Sequence, residues 1–203
     1  YVWHTIHEQN MRHRLTEALC GYHEKYPYRY GMKKAEIHMT YMKKVKLNVF
    51  DLYVEMLSEE GALKRHQEFL QLPEFEVRKD SVYEKVLKTV QKQFEKVQFD
   101  FQRFSEISFG NIKREEVEDI MLLLIDEDIV VKITEDIYTL KSIIEKAKEV
   151  IQNRLKENPL ITIAEVRDLL GTSRKSAKPI LEYMDSIKVT KKNGTESERV
   201  AYV

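Results

Sequence analysis

One spacing, met three times, constrains this chain more than any other feature. Phe50, Tyr53, Val54 and Leu57 fall at i, i+3, i+4 and i+7. So do Val117, Ile120, Met121 and Leu124, and again Ala177, Ile180, Leu181 and Met184. A helix gathers such positions on one face, so each set predicts an amphipathic helix with its stripe turned to a core. Four positions after each set comes a turn-compatible or polar residue: Gly61, Asp128 and Lys188. A β-rich pair follows in every copy, 62–65 with 69–72, 129–133 with 137–140, and 189–191 with 200–203. The copies recur at 60–67 residues, share little identity, and the last finishes on the final residue.

Further helical stretches precede each repeated helix. Residues 7–26 stop at Pro27, where proline disfavours continuation. Residues 81–94 open with Ser81 and Glu84 at capping-box spacing, and 142–157 stop before Pro159. In the third copy Thr162 and Glu165 repeat the capping box, while Ile163, Val166, Leu169 and Leu170 supply an apolar face. Gly171-Thr172-Ser173 then breaks the helix and leaves Ser173 placed to cap the next one. Pro179, inside that next helix, predicts a kink or weakened bonding. Each copy reads helix, helix, tight turn, helix, two-stranded hairpin, which is a helix-turn-helix with an appended wing. The expected fold is mainly α with small β-hairpin wings (α+β). Three tandem winged-helix modules, 1–79, 80–140 and 141–203, would form an elongated array, because no Gly/Ser linker separates them.

Composition removes several functional classes. No apolar run approaches the roughly 18–20 residues that span a bilayer, and no basic-then-apolar leader opens the chain. The single cysteine, Cys20, can form no internal disulfide and fits a reducing compartment, so a cytoplasmic monomer is expected. The chain begins at Tyr1 rather than methionine, as a piece of a longer protein would. Lys+Arg and Asp+Glu both number 34, but this zero is a cancellation. Residues 1–79 carry +2, 80–140 carry −6 and 141–203 carry +4. Affinity for nucleic acid comes largely from neutralising phosphates, which disfavours the middle module and favours the last. There Arg174, Lys175 and Lys178 lie on the third helix outside the apolar stripe, and Lys191, Lys192 and Arg199 lie on the wing. A helix N-terminus capped by Ser173 also suits a phosphate.

The run Thr162-Ile163-Ala164-Glu165-Val166-Arg167-Asp168-Leu169-Leu170-Gly171-Thr172-Ser173-Arg174-Lys175 continues through Ala177, Pro179, Leu181-Glu182-Tyr183 and Asp185 to Val189-Thr190. It resembles the last winged-helix module of the bacterial selenocysteine-specific elongation factors. Tyr22-His23-Glu24-Lys25-Tyr26-Pro27, then Gly31-Met32-Lys33-Lys34-Ala35-Glu36, and Phe69-Leu70-Gln71-Leu72-Pro73 are similar to the second such module, in matching order. The middle module is assigned by position. The resemblance implies the stretch from the second to the fourth winged helix of a translational GTPase that delivers selenocysteinyl-tRNA to the ribosome. In that family the extension tethers the factor to an mRNA hairpin just after a UGA codon, and its final module binds the hairpin tip. The sequence contains no G-x-x-x-x-G-K-[ST] motif, so neither nucleotide hydrolysis nor a cofactor is expected of it. Carried onto this chain, Ser173, Arg174 and Lys175 match best. Lys178, Lys191, Lys192, Arg199 and Arg167 follow as phosphate contacts. A-form RNA hides its major groove, so a short helix start that reaches an exposed loop is the suitable device.

Other groupings carry less. His4, His7, Cys20 and His23 contain two i, i+3 pairs that zinc would accept, but nothing fixes the pairs together, so ordinary helix-surface residues are expected. Tyr22, Tyr26, Tyr28 and Tyr30 suit a module interface better than base stacking. Glu115, Glu116, Glu118 and Asp119 read as a solvated helix face. A DNA-binding regulator and a protein-interaction scaffold remain as alternatives, although a regulator usually binds as a symmetric dimer across two half-sites.

Overall fold

The structure, a computed structural model, describes residues 5–202, with side chains from Glu8 onward. Two compact units divide the chain, Tyr1–Asp80 and Ser81–Val203. In the first, α1 (Thr5–Lys25) stops short of Pro27 and is followed by β1 (Met32–Lys33) and α2 (Lys34–Tyr41). Then come α3 (Leu47–Glu59) and the wing, β2 (Lys64–His66) with β3 (Phe69–Gln71). β1 joins the wing on the β3 side, Met32 opposite Leu70, so the sheet has three antiparallel strands rather than two. Gly31 permits that approach, because a Cβ there would lie 2.1 Å from the Leu70 carbonyl oxygen. The predicted stripe Phe50, Tyr53, Val54 and Leu57 is buried against Leu15 and Leu19 of α1, Ile37 of α2 and Leu70 of β3.

The second unit holds two copies of the pattern. One comprises α4 (Ser81–Val97), α5 (Arg114–Asp126), β4 (Val130–Thr134) and β5 (Ile137–Leu140). Ser81 is the first helical residue of α4, not the residue before it. The second helix expected here is reduced to a 3₁₀ turn, Phe104–Glu106. Residues 98–113 scatter Phe99, Phe101, Phe104 and Phe109 around Gly110 without helical spacing. A single bridge, Arg103 to Ile137, stands in for the extra strand. The other copy is complete: α6 (Lys141–Glu157), β6 (Leu160–Thr162), α7 (Ile163–Leu170), α8 (Arg174–Ser186), β7 (Thr190–Asn193) and β8 (Thr195–Ala201). Its sheet runs β6-β8-β7. Residues 193–198, which lie between the two expected strands, are themselves mostly strand and turn tightly at Gly194 with φ 73°. α8 continues through Pro179. Lacking an N–H, that proline leaves the Lys175 carbonyl without its helical donor.

The three repeated helices are each 13 residues long and end identically. Gly61, Asp128 and Lys188 all adopt left-handed φ, at 71°, 60° and 58°. The amide of the next residue donates back five positions in each case, Ala62 to Leu57, Ile129 to Leu124 and Val189 to Met184, at 2.8–2.9 Å. The left-handed residue itself donates to Ser58, Ile125 or Asp185. This paired closure is the Schellman motif, with an apolar residue on each side of the longer bond. It satisfies the orphan carbonyls of the helix end and aims the chain into the wing. Two of the three ends accept a side chain at left-handed φ, a cost of about 1 kcal/mol.

Candidate nucleic-acid interface

The turn between α7 and α8 is built from its sequence in short steps. Thr162 and Glu165 form the capping box, with Thr162 N–H donating to Glu165 Oε2 at 2.8 Å and Glu165 N–H to Thr162 Oγ1 at 3.2 Å. Gly171 ends α7 at φ 59°, and Thr172 N–H closes back on the Arg167 carbonyl at 3.0 Å. Ser173 is extended and starts α8, but its side chain does not cap that helix. Its hydroxyl donates instead to Asp100 Oδ1 at 2.7 Å, in the loop after α4. Thr172 Oγ1 donates to the Phe99 carbonyl at 2.6 Å, and Phe101 N–H donates to the buried Ser176 Oγ at 3.0 Å. Phe99 and Phe101 pack on the core of α6, α7 and α8. Three consecutive residues of the acidic copy thus fasten the turn of the basic one. The Ser173 hydroxyl holds the Asp100 carboxyl below its ordinary value. Ser173 is therefore a docking residue here, not the open phosphate cap that its position suggested.

Arg174 and Lys175 project beside this fastening. Both are exposed, no acid occupies the first turn of α8, and neither side chain has an ion pair or hydrogen bond among the described residues. Lys178 lies 3.6 Å from Glu182, Lys192 2.6 Å from Glu196, and Arg167 2.6 Å from Asp168. Exposed pairs of this kind contribute at most about 1 kcal/mol, so a phosphate can compete for each cation. Lys191 is exposed, its ammonium 5.9 Å from the Tyr202 ring centroid.

Arg199 departs from the expectation completely. It is 0% exposed, its Nε donating to Asp185 Oδ2 at 2.6 Å and its Nη1 to the Glu196 and Glu198 carbonyls. Thr190 Oγ1 donates to Asp185 Oδ1 at 2.6 Å. Nε and Nη1 take all three acceptors, so at 0% exposure the guanidinium locks the wing to the end of α8 and is not presented at the surface. Asp185, Thr190 and Asp100 were not among the expected site residues. The first two stand inside the quoted motif; Asp100 meets Ser173 across 73 residues of sequence, which no local pattern discloses.

The remaining groupings separate. His4 lies outside the described residues, as does the side chain of His7. Cys20 is exposed, whereas His23 is buried, stacked at 3.6 Å on Phe75, and accepts the Leu72 N–H on Nε2. His23 is thus a core residue rather than the surface one expected. No cluster of three or more potential metal ligands occurs among the described residues. The four tyrosines pack inside the first unit: Tyr22 on Tyr26, Tyr30 stacked on His66, and Tyr28 buried with its hydroxyl on Asp80. Asp119 is buried, unlike the glutamates around it. Among the described residues no helix is long and apolar enough to cross a membrane.

Comparison with known proteins agrees with this architecture. Two family models described as "Elongation factor SelB, winged helix" match the chain. The one for the second winged helix matches residues 16–72 and the one for the third matches 153–197. Together they span 102 of the 203 residues and leave the middle copy between them. The selenocysteine-specific elongation factor of Desulfomicrobium baculatum is 24% identical over 185 residues, 90% of this chain but 29% of its own length. The chain therefore spans under a third of that relative. The solved mRNA-binding domain of elongation factor SelB from E. coli, in complex with SECIS RNA, matches at TM-score 0.52 and 19% identity. It covers 62% of this chain and 100% of its own. A bacterial selenocysteine-specific elongation factor crystal structure matches 98% of this chain and 30% of its own, again at TM-score 0.52 and 19% identity. At that identity the structures speak for the fold, and the family models speak for descent. With the repeated helix ends and the Thr162–Thr190 motif in place, the chain belongs to the winged-helix region of the selenocysteine-specific elongation factor family.

Proposed function

We propose that this chain binds an mRNA stem-loop, the selenocysteine insertion element, and tethers an elongation factor to the message for UGA recoding. The carrying observation is the pair Arg174 and Lys175. Both are exposed and, among the described residues, without ionic partners, at a helix start whose backbone is fixed by docking against residues 99–101. A fixed backbone lowers the ordering cost of binding, and Arg adds a planar fork that stacks on or bonds an extruded base. Lys178, Lys191, Lys192 and Arg167 grip flanking phosphates, while Ser173 and Arg199 hold the frame. The chain acts by binding rather than catalysis and works as a cytoplasmic monomer. The ribosome and selenocysteinyl-tRNA are partners of the whole factor through its other domains. Support comes from the family of the chain and from the solved relative bound to SECIS RNA. Fluorescence anisotropy at physiological salt tests the reading with a cognate hairpin and a copy whose loop is scrambled. Tighter binding of the cognate hairpin is expected; equal affinities would refute loop recognition.

A further inference from the structure

In the first unit a longer turn stands before α3 where the α7–α8 turn stands before α8, and there the sequence is Lys43-Lys44-Val45-Lys46. All three lysines are exposed, and none of their ammonium groups has an ion pair or hydrogen bond among the described residues. Three other cations of this unit are matched, Arg12 with Glu8 and Glu60, Lys33 with Glu68 and Lys34 with Asp51. Arg14, Arg78 and the adjacent Lys64 and Arg65 are exposed without an ion pair among the described residues. Lys46 starts α3 in extended backbone, and the first turn of α3 contains no acid. The turn is held from inside. His38 Nε2 donates to the Val45 carbonyl at 2.7 Å, and Val45 N–H donates to the Met42 carbonyl at 2.8 Å. Three unneutralised charges therefore project from a pinned backbone. In the middle copy the same position is neutralised, since Glu115 and Glu116 fill the first turn of α5 and Arg114 pairs with Glu118 at 3.0 Å.

We infer that the Lys43–Lys46 turn is a second nucleic-acid surface, which takes the phosphate backbone of double-helical RNA without reading its sequence. Lysine presents a point charge with no planar fork, so it suits phosphate rather than base edges. A-form RNA presents phosphates along both rims of its shallow groove, within reach of a protruding turn. The inference stands on the first unit alone and does not need the hairpin reading of α8.

The test uses the full chain and a blunt, fully paired RNA duplex of about 20 base pairs, titrated between about 50 and 200 mM salt. Replacing Lys43, Lys44 and Lys46 together with Gln should weaken duplex binding about tenfold or more at the low-salt end. The log–log salt slope should shrink by about 3, and the Arg replacements should retain binding. The ratio of cognate to scrambled hairpin affinity should stay unchanged in the Gln variant, since it reports α8. Unchanged duplex affinity in the Gln variant overturns the inference, as does complete loss of duplex binding in Arg174→Ala/Lys175→Ala. Met39 and Leu47 are exposed on the helices either side of the turn. Stronger binding to anionic phospholipid vesicles than to the duplex would reassign the turn to a lipid surface and overturn the inference likewise.

Discussion

α5 and α8 share their length, their buried stripe and their hydrogen-bonded exit, yet their first turns are opposites. α5 opens on Arg114, but Glu115 and Glu116 follow at once in its first turn, complementing the helix dipole and screening its N-terminus with the protein's own carboxylates. α8 begins with Arg174 and Lys175, which add positive charge to an already positive end. That choice destabilises the isolated helix, and it makes sense where an outside anion completes the site. The wings differ in parallel. The last is locked by a buried guanidinium, whereas the middle one carries the exposed pair Lys132–Glu135 at its tip. The fold therefore supplies a common frame, and the copies differ in the charge they place at one turn; on the proposed reading that charge selects the copy that faces RNA.

The largest effect that sharpens this contrast is on stability. Arg199→Ala removes a fully buried guanidinium and leaves the half-buried Asp185 without its ionic partner, which should cost the second unit about 3 kcal/mol by urea unfolding. Lys132→Ala, at the exposed wing pair, should stay within about 0.5 kcal/mol. Next comes binding. Arg174→Ala should cost about 1–3 kcal/mol with the cognate hairpin and little with a scrambled loop. Lys192→Ala should weaken all RNAs alike and reduce the salt slope by about 1, and Arg114→Ala should change neither.

A smaller effect probes the shared exit. Gly61→Ala should lose about 1 kcal/mol, because the position is left-handed, while Lys188→Gly should gain a similar amount. Both are readable from thermal unfolding. The smallest concerns Asp100, whose carboxyl is depressed in the folded chain. A depressed carboxyl stabilises above its unfolded value, near 3.9, and that contribution is lost as pH falls through the folded value. Acidification below about pH 4 should therefore lower the protection of the Phe101 amide relative to its intrinsic exchange rate at each pH. Asp100→Asn should remove that pH dependence.

Much of this frame could be read from residues alone. The apolar stripes, the Thr162–Glu165 capping box and the left-handed exits all arise from local spacing, which leaves a signature within a few positions. The short helix expected in the middle copy was illegible because residues 98–113 follow tertiary packing of phenylalanines rather than a helical period. The extra strands β1 and β6 are three residues or fewer, too short for a period to register. At the site, Arg174 and Lys175 stood out as charge beside a helix start. Charge does not reveal burial, so Arg199 looked like its neighbours although Asp185 and two carbonyls enclose it. Nor does sequence reveal that Asp100 takes the Ser173 hydroxyl.

The most direct measurement follows backbone amide resonances of the full chain by NMR as cognate hairpin is added. The largest shifts are expected at residues 172–178, where α8 begins, and none of comparable size at 113–117, where α5 begins. Shifts centred on the start of α5, or absent from the start of α8, would contradict an RNA site at α8.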